Sequence, residues 1–157
     1  MERTGKAQEL FEKAEKLRNN QNYEEAIAEY SEVIKLLPND AESFEWRGDC
    51  YRKLEQPENA LADYNKAISL EPEGDHHFGR AFVYILLGDF KKAADDIEKM
   101  IKQCPPEDLG YRLYRFASDI YKLTGNKREA AVYYKKISAK DSRYFEWAKE
   151  DLANMGM

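Results

Sequence analysis

Four short phrases recur along this chain of 157 residues and fix what it can fold into. Tyr23-Glu24-Glu25-Ala26, Pro57-Glu58-Asn59-Ala60, Phe90-Lys91-Lys92-Ala93 and Lys127-Arg128-Glu129-Ala130 set their alanines 34, 33 and 37 residues apart. Prolines follow in step at Pro38, Pro72 and Pro105. Upstream, Leu17, Tyr51, Tyr84 and Tyr121 keep the same beat, and so do the small residues Ala14, Gly48, Ala81 and Ser118. A period of this length means one supersecondary unit, too small to bury its apolar face alone, copied so that neighbours cover each other.

Each unit reads as two helices. In the second, Phe44, Gly48, Tyr51 and Leu54 fall on one helical face, and Asn39 with Glu42 offers a capping-box start. Glu55-Gln56-Pro57 breaks the pattern, with proline suited to the first turn of the next helix. Ala60, Leu61, Tyr64, Ala67 and Ile68 form the second stripe, which Pro72 ends. Asn126 with Glu129 is a second capping pair. Antiparallel helices cross at roughly 8–10 Å, which only small side chains allow, so Gly48 is expected to face Ala60.

The net charge of −5 and pI near 5.2 provide no basic surface for a phosphate backbone, so nucleic acid is not an expected partner. Lys127, Arg128, Lys135 and Lys136 read as a solvated helix face. The longest apolar stretch, Ala81 to Leu87, falls far short of the ~18 residues of a membrane span. Met1 to Lys6 lacks an apolar signal core, and Cys50 and Cys104 have no metal-type spacing. The expectation is a cytoplasmic protein with two reduced thiols, bound to no membrane.

These positions resemble the tetratricopeptide repeat (TPR) family over nearly the whole chain. Phe44, Gly48, Tyr51, Ala60, Tyr64, Ala67 and Pro72 match its signature in the second unit, and Leu10, Ala14, Leu17, Ala26, Tyr30 and Pro38 in the first. The third unit departs by a deletion near Gly74 and by Ile97 and Met100, and the fourth by an insertion around Pro105 to Gly110 and by Asp141-Ser142 in place of proline. The resemblance implies an all-α fold: one domain over 1–157, a right-handed superhelix (α-α solenoid) of hairpins at about 7–40, 41–73, 74–108 and 109–141. Residues 142–155, with Tyr144, Phe145, Ala148 and Leu152, are expected to form a C-terminal capping helix.

The resemblance further implies that first helices line a concave groove. The groove residues are then those the core pattern leaves unused: Phe11, Trp46, Asp49, Phe78, Gly79, Phe82, Arg112, Arg115, Phe116 and Asp119. Trp46, Phe78, Phe82 and Phe116 would suit an amphipathic helix or apolar peptide, or else pack inside a tightly curled superhelix. Gly79 would admit a close ligand backbone or mark a frayed helix start. Arg112 and Arg115 suit a local acidic group. The family's carboxylate clamp for acidic chaperone tails needs cationic and amide side chains, and meets Phe11, Glu15, Trp46, Asp75 and Gly79 instead. The clamp function is not expected.

No phosphate loop, nucleophile elbow or catalytic set is discernible. His76 and His77, being adjacent, cannot serve one metal as an i, i+4 pair, and read as helix-start residues. The expectation is a non-enzymatic module, without cofactor or metal, that binds a protein partner as a peptide or helix. The alternative is a self-assembling, chaperone-like homodimer that uses the groove or the capping helix as interface.

Overall fold

The stripes and breaks become eight helices: α1 (Lys6–Asn19), α2 (Tyr23–Leu36), α3 (Ala41–Lys53), α4 (Pro57–Leu70), α5 (His76–Leu86), α6 (Phe90–Gln103), α7 (Tyr111–Leu123) and α8 (Lys127–Lys140). They come from a computed structural model that describes residues 3–73, 75–103 and 111–140, with 150, 153, 154 and 156. All regular structure among the described residues is helical. Cys104, the insertion at 105–110 and nearly all of the expected capping helix lie outside them.

The chain divides into two compact units, Met1–Leu87 and Gly88–Met157. In the first, α1 packs on α2, α2 on α3, α3 on α4, and α5 on both α4 and α3. In the second, α6 packs on α7 and α7 on α8.

Small residues at the crossings let the helices touch. A Cβ on Gly48 would lie 3.4 Å from the Ala60 carbonyl oxygen and 3.2 Å from Asp63 Cβ, so α3 and α4 meet backbone to backbone where the repeat requires it. Ala14, Ala26 and Ala60 are fully buried beside Tyr30 and Tyr64. Phe11 meets Tyr30 edge-on at 5.6 Å, a favourable aromatic geometry. Arg47 on α3 forks onto Asp63 of α4 at 2.7 and 2.8 Å and donates to Ser31 Oγ of α2 at 2.9 Å. That one guanidinium ties the first two hairpins together. In the second unit Ser118 Oγ donates to the Ala130 carbonyl at 2.9 Å, and Tyr121 stacks on Tyr133.

Helix ends repeat as faithfully as cores. α1, α3 and α7 each finish with a 6→1 and a 5→2 backbone bond: Asn22 to Leu17 and Gln21 to Arg18, Gln56 to Tyr51 and Glu55 to Arg52, Asn126 to Tyr121 and Gly125 to Lys122. The residue that turns the chain is left-handed in every hairpin: Gln21, Glu55, Gly88 and Gly125. Pro57 opens α4, and Asn126 Oδ1 accepts the Glu129 amide at 3.3 Å, as the sequence implies. The start of α3 differs. Its N-cap is Asp40 rather than Asn39, and the Asp40 carboxylate faces Ser43 and Arg3 in place of a helix amide.

Candidate peptide-binding face

Side chains that the hairpin cores leave over gather where α1, α3 and α5 adjoin in the first unit. Arg3, just ahead of α1, lays its guanidinium 3.6 Å from the centre of the Phe11 ring. It donates to Asp40 at 2.8 and 2.9 Å and to Glu42 at 2.7 Å. Arg18 of α1 lies 3.9 Å over Trp46 of α3, with Glu15 3.9 Å away. Arg52 of α3 lies 5.6 Å over Phe82 of α5 and is held by Asp49. A guanidinium over a ring, with one or two carboxylates beside it, thus recurs three times across this face. Stacking on an aromatic face contributes roughly 0.5–2 kcal/mol, depending on desolvation.

Several assignments from the sequence change here. Phe11 is core rather than groove surface: Tyr30 packs against its edge and Arg3 covers its face. Gly79 neither frays nor stands open to a ligand backbone. A Cβ there would fall 2.2 Å from the Tyr64 ring, so α5 needs glycine to seat that tyrosine. Trp46 is half-buried against the first core cluster, with its Nε1 donating to Glu42 at 3.2 Å. Asp49 is engaged by Arg52. Phe78 is 39% exposed, meets Phe82 edge-on at 5.0 Å, and Phe82 is half-buried. The apolar patch on α5 therefore remains accessible.

His76 and His77 open α5 but are both buried, and neither caps the helix. His76 Nδ1 meets Glu45 Oε2 at 2.9 Å. A carboxylate only accepts, so Nδ1 carries the proton. The Glu45 hydrogen bond raises the imidazole pKa above its ordinary value; burial opposes the shift, and Glu71 and Asp75 add to it. These groups line a cleft of about 410 Å³ with Arg3, Asp40, Glu42 and Trp46. Five carboxylates there face one guanidinium. Sequence spacing does not reveal this cleft, because Asp40, Glu71 and Asp75 lie at helix ends, which the repeat pattern does not place.

In the second unit, Arg115 and Asp119 sit one turn apart on α7, 3.8 Å from each other, and Phe116 is half-buried. Arg112 lies in the first turn of that helix. Cys50 is a buried free thiol pushed up to about 12, by burial first and then by Asp49. No helix among the described residues is long and apolar enough to cross a membrane, and none of their His, Cys, Asp and Glu side chains cluster as a metal site.

Known proteins repeat this architecture. A family described as "TPR repeat" matches residues 14–54, and one described as "Tetratricopeptide repeat" matches 41–73. Hsp70-Hsp90 organizing protein 3 of Arabidopsis thaliana is 32% identical over 100 residues, 63% of this chain and 18% of that protein. Hsc70-interacting protein 1 of Drosophila melanogaster is 35% identical over 104 residues, 64% of this chain and 27% of its own. Human serine/threonine-protein phosphatase 5 is 30% identical over 138 residues, 87% of this chain and 28% of its own. The chain thus spans less than a third of these relatives. Among solved structures, MamA superposes with a TM-score of 0.79 at 22% identity, covering 90% of this chain and 76% of MamA. The first TPR of Spaghetti (RPAP3), bound to the HSP90 peptide SRMEEVD, superposes at 0.71 and 22% identity, covering 76% of this chain and 94% of that one. With hairpins, crossings and family matches in agreement, the chain carries tetratricopeptide repeats within residues 14–73.

Proposed function

We propose that this chain is a protein-interaction scaffold whose partner segment lies across α1, α3 and α5. The observation that carries this reading is the Phe78 and Phe82 pair, left accessible on α5 although the hairpin cores do not require it. Rigid aromatic side chains flanked by arginines are the groups that most often carry binding energy.

The RPAP3 domain holds an acidic peptide. This chain has Phe11, Glu15, Trp46, Asp75 and Gly79 where a carboxylate clamp needs cations and amides. Phe11 and Gly79 are taken up by internal packing, and Glu15 and Asp75 carry the wrong sign. An acidic tail such as SRMEEVD is therefore not expected to bind.

The test is selection from a random displayed-peptide library. Wild-type protein should select a consensus, and Phe82→Ala and Trp46→Ala should each weaken it by about 2 kcal/mol, roughly thirtyfold, with unchanged melting. Lys35→Glu on α2 should leave it unaltered. Failure to select any peptide, or binding indifferent to both alanines, overturns the reading. Self-association is a second reading, favoured by Leu86 and Leu87, which are 61% and 47% exposed. A concentration-dependent dimer in light scattering, abolished by Leu86→Glu, would establish it.

A further inference from the structure

We propose that the partner segment is cationic, with an arginine or lysine entering the cleft between Glu45, Glu71, Asp75 and His76 and an apolar neighbour resting on Phe78 and Phe82. The inference rests on the reading above and specifies the chemistry of the occupant.

Some of the acidity has an ordinary cause. Asp40, Glu42 and Asp75 lie at the starts of α3 and α5, where the helix dipole favours carboxylates. Glu71 has no such excuse. It is the C-cap of α4, where a negative charge is disfavoured, and no basic residue occupies the last turn. Its carboxylate instead lines the cleft.

His76 is the independent sign of a missing donor. Its side chain is 5% exposed, and Nε2 is buried without a hydrogen-bond partner. In the neutral ring, with the proton on Nδ1, Nε2 is a bare acceptor, and another acceptor, Glu71 Oε2, lies 3.9 Å away. Two acceptors facing each other call for a donor between them. A guanidinium or ammonium supplies both N–H groups and positive charge.

Arg3 shows the cleft accommodating such a group. It lies outside any helix, and its guanidinium is nearly buried between Asp40, Glu42 and the Phe11 ring. The other half of the cleft is likewise acidic, lined by Glu45, Glu71 and Asp75.

The same selected peptides test this. They should be enriched in arginine or lysine beside an apolar residue. A twin with citrulline for arginine, of equal shape and no charge, should bind about tenfold more weakly or worse. Glu71→Gln combined with Asp75→Asn, both exposed positions, should erase the difference between the twins while the fold is kept. Binding should weaken in acid as His76 takes a second proton and itself donates toward Glu71. An acidic or uncharged consensus, equal affinity of the twins, or indifference to the double substitution overturns the proposal. If such a peptide still depends on Phe82, the scaffold reading stands without it. If nothing is selected, both fall.

Discussion

Two glycines press on the same tyrosine from different helices. Gly48 of α3 approaches Tyr64 from inside its own hairpin, where an added Cβ would sit 3.5 Å from Cδ2, an ordinary contact, and 3.2 Å from Asp63. Gly79 of α5 approaches from the next hairpin, where it would sit 2.2 Å from Cε1 and 2.4 Å from Cζ. The intra-hairpin contact is close, and its partners, Asp63 Cβ and the Ala60 carbonyl, are fixed by the α4 backbone. The contact between hairpins would overlap far more deeply, and because Tyr64 is 2% exposed its ring can yield only by displacing its neighbours. In this pair of contacts, stacking constrains the chain more than hairpin closure does.

The largest expected effect is therefore at Gly79. Gly79→Leu should destabilise the first unit by about 3 kcal/mol or more, since overpacking of 1–3 kcal/mol is the usual range and this site starts from overlap. Gly48→Leu should cost less, about 1–3 kcal/mol. Denaturant midpoints measure both, and the reverse order would break the comparison. Glu55→Gly should act the other way. Glu55 holds a left-handed φ of 55° where hairpins three and four have Gly88 and Gly125, and relief of that strain should add about 1 kcal/mol. No gain there would show that its two turn hydrogen bonds already over-determine the conformation. Smallest is a chemical readout: Cys50 should stay silent to thiol reagents in the native protein, because burial holds it protonated.

Acid should also separate fold from binding. The folded-state pKa of His76 is raised, so its stabilising contribution is complete below the ordinary histidine value and fades as pH rises through the raised one. Peptide affinity should move oppositely, weakening in acid. His76→Gln should flatten both profiles.

The hairpin cores were legible because their spacing repeats: Ala26 with Tyr30 and Ala60 with Tyr64 occupy equivalent places and are buried alike. So was the Gly48 crossing. Gly79 was misread because its partner lies fifteen residues back, in another repeat, and nothing within one period reports it. Phe11 was misread because Arg3, outside the repeat, roofs it over. The acidic cleft escaped for a related reason. Three of its five carboxylates, Asp40, Glu71 and Asp75, are helix caps brought beside Glu42 and Glu45 only when hairpins stack, whereas Phe78, Phe82 and Trp46 sit on helical faces that can be counted.

Amide chemical-shift mapping of the isotope-labelled chain with a selected peptide tests the central claim most directly. The account predicts that the Trp46 indole and the amides of Glu45, His76, Gly79 and Phe82 move together, while Glu24, Lys35, Asn59 and Lys66 on α2 and α4 stay still. Shifts concentrated on α2 and α4, with Trp46 and Phe82 unmoved, would contradict it.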